Sequence, residues 1–176
     1  MIDEAVRAFI RRSWDILDEV SDDAWQAKRG LASSLRELNH LVVCSDAPAQ
    51  QLTEAAARVD QALDLLRPYP AGTFKARFED GDYIARPEIY ADRAWITGRS
   101  NPISPLALLD HDGNEATGEV IFDNAYVGAP GWVHGGALAS VFDQIMGFVL
   151  ILQGTPCVTA ELTVRYHVPT PSHKPL

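Results

Sequence analysis

The sequence predicts an α+β fold in which a helical N-terminal extension is joined to a unit of antiparallel strands and one apolar helix. Three observations predict it. Apolar residues recur at three- and four-residue steps through residues 3–67. Two strand-like runs flank the turn sequence Asp112-Gly113-Asn114. A twelve-residue alternation of period two, residues 157–168, follows the apolar stretch from Ala137 to Leu152.

Residues 1–67 are expected to form the helical extension. Val6, Phe9, Ile10, Trp14 and Leu17 mark one amphipathic run, Leu31, Leu35, Leu38 and Leu41 a second. Leu52, Ala55, Ala56, Val59, Leu63 and Leu66 mark a third, with Asp46 or Thr53 as N-cap. No catalytic grouping lies here, so a packing or dimerising arm is expected. His40 has no second ligand three or four residues away and reads as a surface or capping histidine. Residues 68–105 form a linker and a loop leading into the domain, because eight Pro and Gly residues between Pro68 and Pro105 break any long element. Within them Phe74-Lys75-Ala76-Arg77-Phe78 alternates as a short strand would.

Residues 106–176 form the remaining domain. Leu106 to Leu109 and Glu119 to Phe122 are expected to pair as a β-hairpin. A Gly- and Pro-rich loop from Tyr126 to Val133 then runs into His134-Gly135-Gly136 and the apolar helix, which Gly154 and Pro156 end. In the strand after it, Val158, Ala160, Leu162, Val164, Tyr166 and Val168 share the face expected to be buried, while Thr159 and Arg165 lie on the polar face. Phe142, Met146 and Phe148 are expected in the core.

Composition narrows the function. The chain has 176 residues with a formal charge of −9, and the acid excess is even: 12 acids and 8 bases in residues 1–67, 12 and 7 in residues 68–176. No basic stripe exists to track a phosphate backbone, so no nucleic-acid partner is expected. Cys44 and Cys157 lie far apart, which gives neither a disulfide framework nor a zinc site. No signal-like segment opens the chain, and the apolar stretch carries Ser140, Asp143 and Gln144 and is shorter than a bilayer requires. A cytoplasmic protein with no membrane span, no metal and no cofactor is expected.

One residue in that helix stands out. A helix apolar on every side should be surrounded, yet Asp143 lies in its middle. An unpartnered buried carboxylate costs several kcal/mol and titrates high. It either accepts hydrogen bonds from a neighbouring loop or carries chemistry. At the helix start, Gly135 and Gly136 leave backbone N–H groups open to approach, a favourable place for developing negative charge. A carboxylate combined with such donors describes acyl transfer or hydrolysis.

The run His134-Gly135-Gly136-Ala137-Leu138-Ala139-Ser140-Val141-Phe142-Asp143, then Val158-Thr159-Ala160-Glu161-Leu162-Thr163-Val164-Arg165-Tyr166 and Pro169-Thr170-Pro171, resembles the hotdog-fold acyl-CoA thioesterases, in the PaaI-like branch of the 4-hydroxybenzoyl-CoA thioesterase superfamily. The likeness covers roughly residues 100–176. It implies an antiparallel sheet wrapped around a central helix, protomers paired as a homodimer or a dimer of dimers, and an acyl-CoA substrate. It implies catalytic roles for Asp143 as general base or nucleophile, for Gly135 as oxyanion donor, for His134 in shaping the pocket and for Thr159 in orienting water. Gly136 and Trp132 would line the substrate, and Arg165 and Lys174 would meet coenzyme A phosphates. An asparagine that some relatives carry before the histidine has no counterpart nearer than Asn124. A non-catalytic acyl-ligand or protein-interaction module on the same scaffold is the alternative; a dehydratase of this fold pairs histidine and carboxylate differently.

Gly135 and Asp143 are eight residues apart, which along a helix is about 12 Å. One thioester carbonyl cannot contact both, so the resemblance implies a site shared between two helices of a homodimer. Three strands from residue 106 are too few to enclose an all-apolar helix and would leave apolar surface and sheet edges open, so either the domain is C-terminally truncated or something else completes the sheet.

Overall fold

The computed structural model describes residues 23–69, 72–73, 76, 79–81, 92–112, 115–152 and 158–176, with the backbone alone at 111–112 and 151–152. The expected run from Val6 to Leu17 lies outside them, as do Gly154 and Pro156. The elements are α1 (Asp23–Cys44), α2 (Ala49–Leu66), β1 (Leu108–Asp112), β2 (Glu115–Glu119), a 3-10 turn (Asn124–Tyr126) and α3 (Gly135–Leu152). This is an α+β arrangement with a small antiparallel sheet. No helix among the described residues is long and apolar enough to cross a membrane.

α1 docks through charge and backbone as much as through its leucines. Trp25 and Ala32 are its buried residues, whereas Leu31 and Leu41 of the expected apolar run are exposed. On the docking face Arg29 Nε donates to both carboxylate oxygens of the fully buried Asp92 at 3.1 Å. One turn pair later Arg36 donates to the carbonyls of Arg99 and Asn101 at 3.0 and 2.9 Å, and Asn39 donates to that of Pro102. Burial lowers the Arg36 pKa, while Tyr126 and Asp92 act in the opposite direction. α2 has no buried residue. Neither expected cap is used: the Pro48 carbonyl accepts from Gln51 and Leu52, and the Thr53 hydroxyl donates back to Ala49 inside the helix. Proline's fixed φ, here −60°, already suits a helix start.

The short strand expected at Phe74–Phe78 is corrected at Ala76, which is helical, as is Glu79. Residues 74, 75, 77 and 78 lie outside the described set. Asp80 N–H donates to the Ala76 carbonyl at 2.8 Å, and the Thr73 hydroxyl accepts from Ala76 N–H at 3.1 Å. A local side-chain cap outweighs an alternation only five residues long.

The hairpin forms, moved toward its turn. β1 and β2 pair antiparallel from Leu108↔Glu119 to Asp112↔Glu115. Leu106, expected within the first strand, has a φ of +59°, a left-handed conformation that ends strand geometry there. Residues 120–122 pair instead with the last residues of the chain. Val120 and Leu176 exchange backbone hydrogen bonds, and Ile121 bridges Pro175.

The long strand expected over 157–168 does not appear among residues 158–168, which belong to no ladder. Val158 is 92% exposed and Val168 72%. Alternation sorts side chains onto two faces, but a strand also needs a neighbouring backbone, and none lies beside this segment among the described residues.

The core gathers Ile96, Ala107, Val120, Phe122, Val133 and Val141, flanked by Tyr126, Ala137, Leu138 and Ile145. α3 buries this side together with Phe148, but exposes Phe142, Met146 and Leu150, spaced at i, i+4 and i+8. The helix is therefore covered on one side only, which corrects the core placement expected for Phe142 and Met146. Tyr126 meets Phe122 edge-on at 5.4 Å and donates its hydroxyl to the Ile103 carbonyl at 2.9 Å. Its phenol is pushed up to about 12 by burial, then by Asp123, with Arg36 opposing.

Two outcomes are expected in denaturation experiments. Arg29→Met leaves the Asp92 charge buried without its partner and costs about 3 kcal/mol, whereas Arg58→Ala, at an exposed i,i+4 pair with Glu54, changes stability by less than about 0.5 kcal/mol. Because the folded state favours neutral Tyr126, its contribution is complete below the ordinary tyrosine value of 10.0 and is lost as pH rises toward about 12. Comparison of the parent with Tyr126→Phe across that window should show this step only in the parent.

Candidate functional site

The loop before α3 is a tight backbone turn. Val127 bridges Val133, Gly128 N–H donates to the Trp132 carbonyl at 3.0 Å, and Trp132 N–H donates to Ala129 at 2.8 Å. His134 N–H donates to the Tyr126 carbonyl at 2.8 Å, and Val133 N–H to that of Thr170 at 2.9 Å. Gly128 lies so near His134 that a Cβ there would sit 3.1 Å from the histidine Cα.

His134 caps α3. Its carbonyl accepts from Ala137 and Leu138, and its Nδ1 accepts from Gly136 N–H at 2.9 Å. An accepting Nδ1 places the neutral ring's proton on Nε2. This corrects the expectation of two open amides: Gly136 N–H is engaged, and only Gly135 N–H lacks an acceptor among the described residues.

Tyr166 covers the other side. Its hydroxyl donates to the Gly135 carbonyl at 2.6 Å, and its ring lies so close that a Cβ on Gly135 would fall 3.1 Å from Cζ. An open cleft of about 560 Å³ runs between these groups. Trp132, His134, Gly135, Leu138 and Tyr166 line it, with residues 167–170 along one edge.

Of the residues singled out in the sequence, the cleft brings together His134, Gly135 and Trp132. Gly136 sits behind, with its N–H turned to the histidine. Asp143 lies two turns further along α3, half-buried and outside the cleft lining. This corrects its expected full burial, and the cause is the uncovered face of α3. Thr159, Arg165 and Lys174 are exposed and do not line the cleft. Asn124 Oδ1 accepts from His173 Nε2 at 2.8 Å, and Asn124 is also outside the cleft. Tyr166 is the site residue the sequence reading passed over, because alternation placed it among aliphatic residues on a buried face. The available signal was its hydroxyl, which needs a polar partner on such a face.

A second hollow, about 430 Å³, separates α1 from the core, with Arg36, His40, Asp123 and His173 on its walls. His40 Nδ1 is 3.9 Å from the Asp123 carboxylate, and the His40 and His173 rings meet edge-on. No group of three or more potential metal ligands occurs among the described residues.

A helical extension, an antiparallel hairpin against an apolar helix and a cleft at that helix's start make this an α+β protein with its candidate site at a helix N-terminus. Residues 130–176 match the family model of the thioesterase superfamily. The fold is also similar to a crystal structure described as a thioesterase superfamily protein, with a TM-score of 0.62 and 24% identity, covering 84% of this chain and 75% of that one. A comparison with curated proteins gives no match.

The Gly135–Tyr166 contact has a measurable signature. Gly135→Ala should displace the Tyr166 ring and lower stability, and the loss should be smaller by about 1 kcal/mol in a Tyr166→Ala background, where the added methyl has room. A double-mutant cycle by chemical denaturation measures this coupling.

Proposed function

We propose that the protein hydrolyses an acyl-CoA thioester, in the manner of the PaaI-like enzymes its sequence resembles. The observation that carries this reading is Gly135 N–H, which has no acceptor among the described residues, at the start of α3 in a cleft lined by His134, Trp132 and Tyr166. The superfamily match over residues 130–176 supports it.

In the proposed reaction the thioester carbonyl oxygen accepts from Gly135 N–H, helped by the positive end of the α3 dipole. Asp143 takes a proton from water, whose oxygen attacks the carbonyl carbon; the C–S bond breaks and coenzyme A leaves as thiolate. In the nucleophilic variant the Asp143 carboxylate attacks directly and water then cleaves the mixed anhydride. His134 shapes the pocket. Thr159 would orient water and Arg165 or Lys174 would meet the phosphates only from a second protomer, since none lines this cleft.

Asp143 follows the same logic. It stands eight residues along α3 from Gly135, about 12 Å by helical rise, beyond hydrogen-bond reach of one carbonyl. The carboxylate that serves a given Gly135 therefore comes from a partner protomer. The position of Asp143 outside the cleft also favours the alternative, a module that binds an acyl ligand without hydrolysing it.

The assay is thioester cleavage with purified protein and a panel of aliphatic and aromatic acyl-CoAs. Asp143→Asn should reduce kcat by about 10²–10⁴-fold; an unchanged rate removes Asp143 from the mechanism, and an inert parent protein that still binds acyl-CoA establishes the binding module. Asp143→Ala and His134→Ala protomers, each weak alone, should regain activity when mixed as hybrids.

A further inference from the structure

The carbonyl of Gly135 and the N–H of Gly136 are the two polar ends of one peptide unit. Tyr166 Oη donates to the first at 2.6 Å, and His134 Nδ1 accepts from the second at 2.9 Å. The unit is held at both ends by side chains from separate segments, one just before α3 and one thirty-one residues after Gly135. The preceding unit, which carries Gly135 N–H, is held at its own carbonyl by Ala137 and Leu138 N–H, so with this second plane clamped both torsions of Gly135 are set. Glycine is the residue with the widest choice of ψ and the least able to fix it alone. The Tyr166 ring adds a steric stop, since it approaches Gly135 to within the space of a Cβ.

We infer that Tyr166 is a positioning residue of the site: with His134 it clamps the Gly135–Gly136 peptide, so that the neighbouring amide, Gly135 N–H, is held as the donor facing the cleft. This rests on the proposed thioester hydrolysis. A donor already oriented needs no reorganisation as negative charge develops on the carbonyl oxygen, so the clamp acts on the transition state more than on substrate binding. It also suits the bare position 135, where a Cβ would crowd the tyrosine ring at 3.1 Å. Among the described residues, Gly135 N–H is left as the donor for an incoming oxygen while both ends of the adjacent unit are occupied.

The test compares the parent protein, Tyr166→Phe and Tyr166→Ala by steady-state hydrolysis of an acyl-CoA that the parent cleaves, together with the NMR position and hydrogen exchange of the Gly136 amide. Tyr166→Phe keeps the ring and loses only the donor. Its expected effect is a fall in kcat of about tenfold with KM nearly unchanged, together with a shifted and faster-exchanging Gly136 amide. Tyr166→Ala should lose more, because the steric stop goes as well. Parent kcat in Tyr166→Phe, or a fall confined to KM, overturns the positioning role while leaving hydrolysis standing. A parent protein that cleaves none of the acyl-CoAs tested fails the underlying reading, and the catalytic clamp with it, whatever the Gly136 amide shows.

Discussion

The first residues of α3 hang from backbone hydrogen bonds on two sides, and the cleft depends on that suspension. His134 N–H is tied to Tyr126, and Val133 N–H to Thr170. Each bond is worth only about 1 kcal/mol net, but together they leave the helix start one position relative to the core. Thr170 is itself placed by the final segment, where Ser172 donates to Gly131, His173 to Phe122 and Leu176 to Val120. Those pairings run the end of the chain antiparallel beside residues 120–133. Tyr166, four residues ahead of Thr170, is thereby tethered within reach of Gly135.

Tyr126 links this suspension to the N-terminal helix. Its carbonyl holds His134, its ring packs on Phe122, and its hydroxyl is held by Ile103. Ile103 belongs to the turn-rich stretch onto which α1 docks through Arg29, Arg36 and Asn39. An arginine that satisfies two backbone carbonyls does what a longer stretch of secondary structure would otherwise do for that loop. The helical extension thus acts on the cleft at one remove, by stabilising the loop that anchors Tyr126.

Periodicity in the sequence located the helices at 23–44 and 49–66, and an unbroken apolar stretch the one at 135–152, because side-chain patterns sustained over several turns are a strong signal. The hairpin was legible from Asp112-Gly113-Asn114, but its register was not: the left-handed Leu106 and the claim of the C-terminal residues on Val120 and Ile121 are tertiary facts. The alternation of 157–168 misled for a related reason. It reports what a strand would bury, and the partner that would make it a strand is not in the sequence window. At the site, Gly135 was legible as a bare amide at a helix start, His134 only through the family resemblance, and Trp132 through its place beside the helix entrance. The capping of Gly136 by the histidine ring was not, since it depends on a rotamer, and Tyr166 was hidden among the aliphatic residues it alternates with.

The uncovered side of α3 joins the remaining observations. Phe142, Met146 and Leu150 form one exposed stripe while Val141 and Phe148 are buried opposite. Asp143 follows Phe142 by one residue, a rotation of about 100°, and precedes Met146 by three, so it stands at the flank of that stripe. An exposed row of large apolar side chains is costly in water and is covered at low cost by another apolar surface. If the cover is the same stripe of a second chain, related by a two-fold axis, each Asp143 is carried toward the partner helix as the stripe closes. The reach that one helix lacks, from Gly135 to a carboxylate eight residues on, is then supplied by antiparallel neighbours. That same contact would complete the burial of Asp143 that α3 alone does not provide.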